Sequence, residues 1–159
     1  MRLRTFARGS RRAAAAVELA VVLPTVLLPI LLGLWELGRI VEVQQVLDNA
    51  VREGARQAST GQKTNSQVSQ AVLQYLTDTG LGTAGATVTV TNVTSGLDAA
   101  SANQLDHLKV SVTLPYNDVR WTSLSLITSS TTTLSASADW SSMRDLPFTI
   151  SQTIPTTIQ

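Results

Sequence analysis

Cysteine is absent from this chain, histidine occurs once, and charged residues fill only 14% of 159 positions, against about 25% in an average soluble domain. Without cysteine there is no disulfide scaffold, no zinc–thiolate site and no cysteine nucleophile. His107, beside Asp106, has only scattered aspartates to join it, too few for a metal site. Serines are plentiful, yet none lies in a nucleophile elbow. Gly80, Gly82 and Gly85 cluster without the lysine or the preceding strand of a phosphate loop. The chain is therefore expected to be no enzyme, with no catalytic residue, no cofactor and no metal. Basic residues are also scarce outside one place. Arg2, Arg4, Arg8, Arg11 and Arg12 supply five of the twelve, leaving seven bases against eleven acids, a net charge of −4, from Ala13 onward. A nucleic-acid binder would carry its basic stripe on the folded part, so no nucleic-acid partner is expected.

What the chain does have is an apolar run. Residues 19–35, LAVVLPTVLLPILLGLW, carry no charge, and as a helix they span about 25 Å, near the lower limit for a bilayer core of ~30 Å. Trp35 falls where an interfacial aromatic belongs, and Glu36 and Arg39 follow at a spacing that pairs them at headgroup level, with Arg11 and Arg12 at the other interface. The arginine-rich end then lies in the cytoplasm and the chain beyond about residue 40 outside it. Two other readings are a removed secretory signal and the buried core helix of a soluble protein. A signal peptide has a shorter apolar core and a small-residue cleavage site after it, whereas here Leu37, Gly38, Arg39 and Ile40 follow. A core helix does not explain five flanking arginines. Pro24 and Pro29 each remove a backbone hydrogen bond and mark an expected kink.

Glu18 does not fit a plain anchor. It sits at the cytoplasmic mouth of the run, next to the small residues 13–16. An acid at that depth is costly unless paired and reads as functional; the plainer reading is that it snorkels to the headgroups or pairs with Arg11 or Arg12.

The stretch RRAAAAVELAVVLP at 11–24 resembles the amino terminus of TadE-like pseudopilins, minor pilin-like proteins of the tight-adherence (Flp pilus) system. Glu36-Leu37-Gly38-Arg39 and the LDNAVREGARQA run at 47–58 resemble that family's post-membrane helix with its A-REGAR-A pattern. In that family a prepilin peptidase cuts behind a basic leader, and a glutamate follows at the fifth mature position. The resemblance thus implies a cut between Ala13 and Ala14, and it gives Glu18 the task of neutralising the new α-amino group of a neighbouring subunit, which sets axial register. Ala13 stands where glycine is usual and Leu19 where an aromatic is usual. The implied partners are the prepilin peptidase, other pilin and pseudopilin subunits, membrane lipid, and an inner-membrane assembly platform driven by a cytoplasmic ATPase.

Beyond the membrane the helical pattern continues. Ile40, Val43, Leu47, Ala50, Gly54 and Ala58 form one stripe, which could pack on the chain's own sheet or on a partner helix, and Asp48 and Arg52 are spaced to pair. Gly61 is the expected stop, so one helix of about 45 residues is expected, half in lipid. Residues 61–159 then hold 32 Ser and Thr but ten charged residues, a composition that favours strands. Val68, Ala71, Val72, Tyr75 and Leu76 face one side of a short helix capped by Asn65 or Ser66, ending at Gly80-Leu81-Gly82. Alternation marks strands at 86–93, 107–114 and 131–140, with Pro115 stopping the second. Residues 121–127 read as a helical turn or loop over the sheet. Trp121 and Trp140 read as core, with a binding surface as the alternative, and Asn92-Val93-Thr94 fits a glycosylation acceptor, a three-residue pattern that also arises by chance.

The expected fold class is α+β: a long amino-terminal transmembrane helix continuing into a small domain with a short second helix and a ~3-stranded antiparallel sheet, a pilin-like plan. The divisions are a leader at 1–13, a transmembrane helix at 14–41, an extracytoplasmic extension at 42–60, the small domain at 61–146 and a loose tail at 147–159. The expected role is a TadE-like pseudopilin held in the cytoplasmic membrane as a single pass. The alternatives are an anchored extracytoplasmic binding domain with no pilus role, and a soluble domain freed by signal removal.

Overall fold

The computed structural model describes residues 6–83, 85–121, 128, 129 and 131–144, with side chains from Ala13 onward. The expectations for the leader's first five residues, for 122–127 and for the tail lie outside the described residues.

Helical backbone runs without a break from Phe6 to Ser59: α1 (Phe6–Val22), a π-helical turn (Leu23–Leu27) and α2 (Leu28–Ser59). The 47 residues of Ala13–Ser59 make a rod about 70 Å long. Its most apolar 18-residue window has mean hydropathy 2.3, and none of that window is buried inside the fold. Val17, Leu19, Val26, Ile30 and Leu34 all stand exposed, so this is no core helix of a soluble domain. It is long and apolar enough to cross a membrane.

The two prolines do not break the rod. Pro24 lies in the π turn and Pro29 near the start of α2. A π turn leaves room for a missing backbone N–H. The Thr25 hydroxyl also donates to the Val21 carbonyl at 2.8 Å and to the Val22 carbonyl at 3.2 Å, as threonine does beside membrane prolines.

The outer part of α2 is where the domain forms. Val43, Leu47, Ala50, Val51, Gly54, Ala55 and Ala58 are buried, so the apolar stripe packs on the chain's own domain. α2 ends at Thr60 and Gly61, whose φ of +66° and bond to the Ala58 carbonyl at 3.1 Å close it where the sequence indicated. α3 (Asn65–Asp78) begins with a capping box: Thr64 accepts from the Gln67 N–H, and the Gln67 side chain accepts from the Thr64 N–H. Thr64, and not Asn65 or Ser66, is therefore the cap. At the other end the Gly80 and Leu81 amides bond the Thr77 and Leu76 carbonyls, with φ +79° at Gly80. This is a Schellman closure that turns Leu81 back onto the core.

β1 (Thr87–Asn92), β2 (His107–Pro115) and β3 (Thr133–Ser141) form an antiparallel meander with β2 in the centre. Thr87 faces Thr113 on one side of β2, and Pro115 faces Thr133 on the other. Leu108, Val110, Val112 and Leu114 point into the core, each worth about 1.5–3 kcal/mol on burial. The opposite face carries exposed Thr87, Thr89, Thr91, Lys109, Thr113, Ser135, Ser137 and Asp139. The fold is thus α+β: two helices laid on one face of a small sheet, with the apolar rod projecting from it.

Candidate functional site

The amino-terminal end of the rod holds Ala13, Ala14 and Glu18 on helical backbone, and all three are exposed. Nothing in the described fold packs over this segment, so Glu18 is presented outward from a helix face. The side chains of Arg11 and Arg12, the expected partners of Glu18, lie outside the described residues.

At the other end of the apolar run, the helix meets the folded domain in a compact cluster. Glu36 is buried, at 8% exposure. Its carboxylate accepts from the Thr128 hydroxyl, with the Thr128 N–H at 3.4 Å, and its backbone carbonyl accepts from the Tyr116 hydroxyl at 3.4 Å. Burial, and then the nearby Glu36 charge, push the Tyr116 hydroxyl above its ordinary pKa. Arg39 does not pair with Glu36 as its spacing suggested. Its guanidinium bonds Glu42 at 2.9 Å and the Val119 carbonyl at 3.1 Å. The choice follows from burial: the domain claims Glu36 from the side, and Arg39 turns to the exposed acid one turn further on.

Trp35 is 57% exposed and meets the Trp121 ring edge-on, with centroids 6.2 Å apart and planes at 80°. The Arg39 guanidinium stands 5.0 Å over the Trp121 ring, a cation–π contact. Trp121 itself is 66% exposed, so it is not the core residue the sequence suggested. Trp140 does pack against the core. No sequence signal linked Trp121 to Trp35, because the two are joined only by the return of the chain after β2.

The small-residue stripe further out has a structural meaning. A Cβ on Gly54 would lie 2.5 Å from Val72 Cγ2 and 3.3 Å from Val110 Cγ1, so glycine is what lets α3 and β2 close on α2. Between these small residues Arg56 makes two bonds to Glu53, at 2.9 and 2.7 Å, and Gln57 adds a third at 2.8 Å. The Arg56 hydrogen bond, with Gln57 next, holds the Glu53 carboxyl down at about 2. Asp48 accepts from Gln44 at 3.4 Å, and the ion pairs among the described residues are Arg39–Glu42 and Glu53–Arg56, so the expected Asp48–Arg52 pair is not formed.

Two other sequence candidates resolve as structural. Asn92 is 3% exposed, and its amide donates to Asp106 at 2.9 Å and Ser95 at 2.8 Å, which withdraws it from glycosylation. Asp106 is buried under bonds from Ser95, Asn92 and the Asn103 N–H, and the first two hold its carboxyl below the ordinary range. His107 is exposed beside it. This cluster fastens the β1–β2 connection.

No curated protein and no solved structure matches the chain. Residues 13–56, which hold Glu18, the apolar run, the Glu36–Arg39 junction and most of the small-residue stripe, match the family model of TadE-like protein.

Proposed function

We propose that this chain is a TadE-like pseudopilin: a non-catalytic, single-pass membrane subunit that takes part in assembling a tight-adherence pilus. The observation that carries the reading is an uncovered apolar helix, matched to the TadE-like family over residues 13–56, that runs directly into a closed α+β domain. On this reading the arginine-rich end is cytoplasmic, the domain is extracytoplasmic, and a prepilin peptidase cuts between Ala13 and Ala14. The matched segment opens at Ala13, beside that cut.

Glu18 then has a chemical task. Cleavage creates an α-amino group on Ala14, and an exposed carboxylate one helical turn away can reach the amine of an adjacent subunit. At 4 Å and an effective dielectric of 20 such a pair gains about 4 kcal/mol. Either charge alone in the apolar region is costly, so the pair favours one axial register. Other pilin subunits and an inner-membrane platform are the partners this role requires.

Amino-terminal sequencing of the mature chain, from cells with and without the prepilin peptidase, tests the reading. The expected start is Ala14 with the peptidase and Met1 without it. A start at Met1 in both makes the chain an anchored binding domain, and a start beyond about residue 35 makes it an exported soluble domain after signal removal.

A further inference from the structure

We infer that the folded domain is seated on the membrane surface through Trp121 and Arg120, which join Trp35 and Arg39 in a site for phospholipid headgroups. The inference rests on the reading of the apolar helix as a membrane span, and adds a second point of contact supplied by the domain.

Depth is fixed by the rings. Trp35 ends the uncharged run, so in a spanning helix it lies at the edge of the hydrocarbon. Trp121 comes from the far side of the sheet's central strand in sequence, yet its ring centroid is 6.2 Å from that of Trp35. Two rings that close occupy nearly the same depth in a core ~30 Å thick. Both stand open, at 57% and 66% exposure. Exposed indoles in water gain nothing from their apolar faces; at the headgroup boundary they bury the ring and keep the N–H wet.

The charges suit the same layer. Arg39 is held in place by the Val119 carbonyl and Glu42, and stacks on Trp121. Arg120 lines the same small cavity, with Trp35, Trp121, Tyr116 and the buried carboxylate of Glu36, which is engaged by the Thr128 hydroxyl. Guanidinium groups bind phosphate oxygens through paired N–H donors, and bases at this level are drawn to anionic lipid. Lipid is the occupant because the surface is continuous: exposed Leu31, Leu34 and Trp35 lead along the helix directly to Trp121. Whatever medium surrounds the end of the apolar run also reaches Trp121.

Three single-tryptophan forms of the full chain, keeping Trp35, Trp121 or Trp140 with the other two changed to Phe, test this. Each is placed in vesicles of phosphatidylcholine and phosphatidylglycerol carrying a nitroxide quencher either near the headgroup or deep in the acyl chain. Trp35 and Trp121 should lose emission to a similar extent to the shallow quencher and less to the deep one, with Trp140 unaffected. Arg120→Glu should reduce the loss at Trp121 in anionic vesicles and leave it unchanged in phosphatidylcholine alone. Quenching of Trp35 with Trp121 shielded overturns the inference while the membrane span stands. Trp121 emission that follows the protein-to-lipid ratio means a second copy covers it, and also overturns it. If neither Trp35 nor Trp121 is quenched, the span fails and the inference with it. The unsubstituted chain gives an independent readout: amide exchange at residues 119–121 should slow in anionic relative to neutral lipid bilayers, and equal exchange in both counts against the headgroup site.

Discussion

A single methyl group is decisive at Gly54. Alanine there would improve helix propensity by about 1 kcal/mol, but its Cβ would sit 2.5 Å from Val72 Cγ2, and overpacking of a closed core costs about 1–3 kcal/mol. The clash wins, so Gly54→Ala should destabilise the domain in urea unfolding. Gly38→Ala, with nothing within 4 Å of the added Cβ, should be neutral or stabilising by up to about 1 kcal/mol; equal effects at both positions would show that propensity and not packing governs them. Glu53 carries a pH signature. Its folded-state pKa is about 2 against an ordinary 4.5, so the carboxylate contributes stability that is full above about 4.5 and is lost as pH falls towards 2. Because the pair is largely exposed, that contribution is below about 1 kcal/mol. The stability gap between the native chain and Glu53→Gln should therefore shrink between pH 5 and pH 2, and a gap constant with pH would remove the ion pair from the account. Residue-scale pairing was also the least legible level of the sequence. Glu36, Arg39 and Glu42 are evenly spaced along one helix, and local spacing cannot choose between the two acids. The carboxylate of Glu36 is taken by Thr128, which reaches it from a distant part of the chain, while Tyr116 bonds the Glu36 backbone carbonyl.

Elements were easier to read, because periodicity is a local property. The stripe of Val43, Leu47, Ala50, Gly54 and Ala58 is the buried face of α2, and the three alternating runs are the three strands. What periodicity could not say was whether the stripe meets its own sheet or another helix; closure of α3 across Gly54 answers that. Trp121 departs from the core position expected of a large aromatic in a sheet protein, because its exposure depends on a loop path that no local pattern encodes. The cap of α3 was displaced by one residue, since Thr64, Asn65 and Ser66 are all good caps. Thr64 prevails because Gln67 reciprocates, and because Asn65 is engaged elsewhere, its side-chain oxygen accepting from the Ala99 N–H at 2.9 Å and its own N–H donating to Asp98. Thr64→Ala should cost about 1 kcal/mol in thermal unfolding, and Ser66→Ala much less; the reverse order would put the cap at Ser66.

For the molecule as a whole, the proposed role of Glu18 predicts that Glu18→Ala is inserted and folded normally, yet fails to enter pili or to co-purify with other pilin subunits. Wild-type incorporation of that variant would show that the carboxylate has no part in register. The rod also carries a consequence of its π turn at Leu23–Leu27. Each residue added to an α-helical repeat rotates everything above it by about 100° relative to everything below. The widened turn between Glu18 and the folded domain thus acts as a clocking element. It sets the compass bearing on which the carboxylate points when the domain faces a given neighbour. A purely α-helical rod of the same residues would keep almost the same height and turn the carboxylate by about 100°.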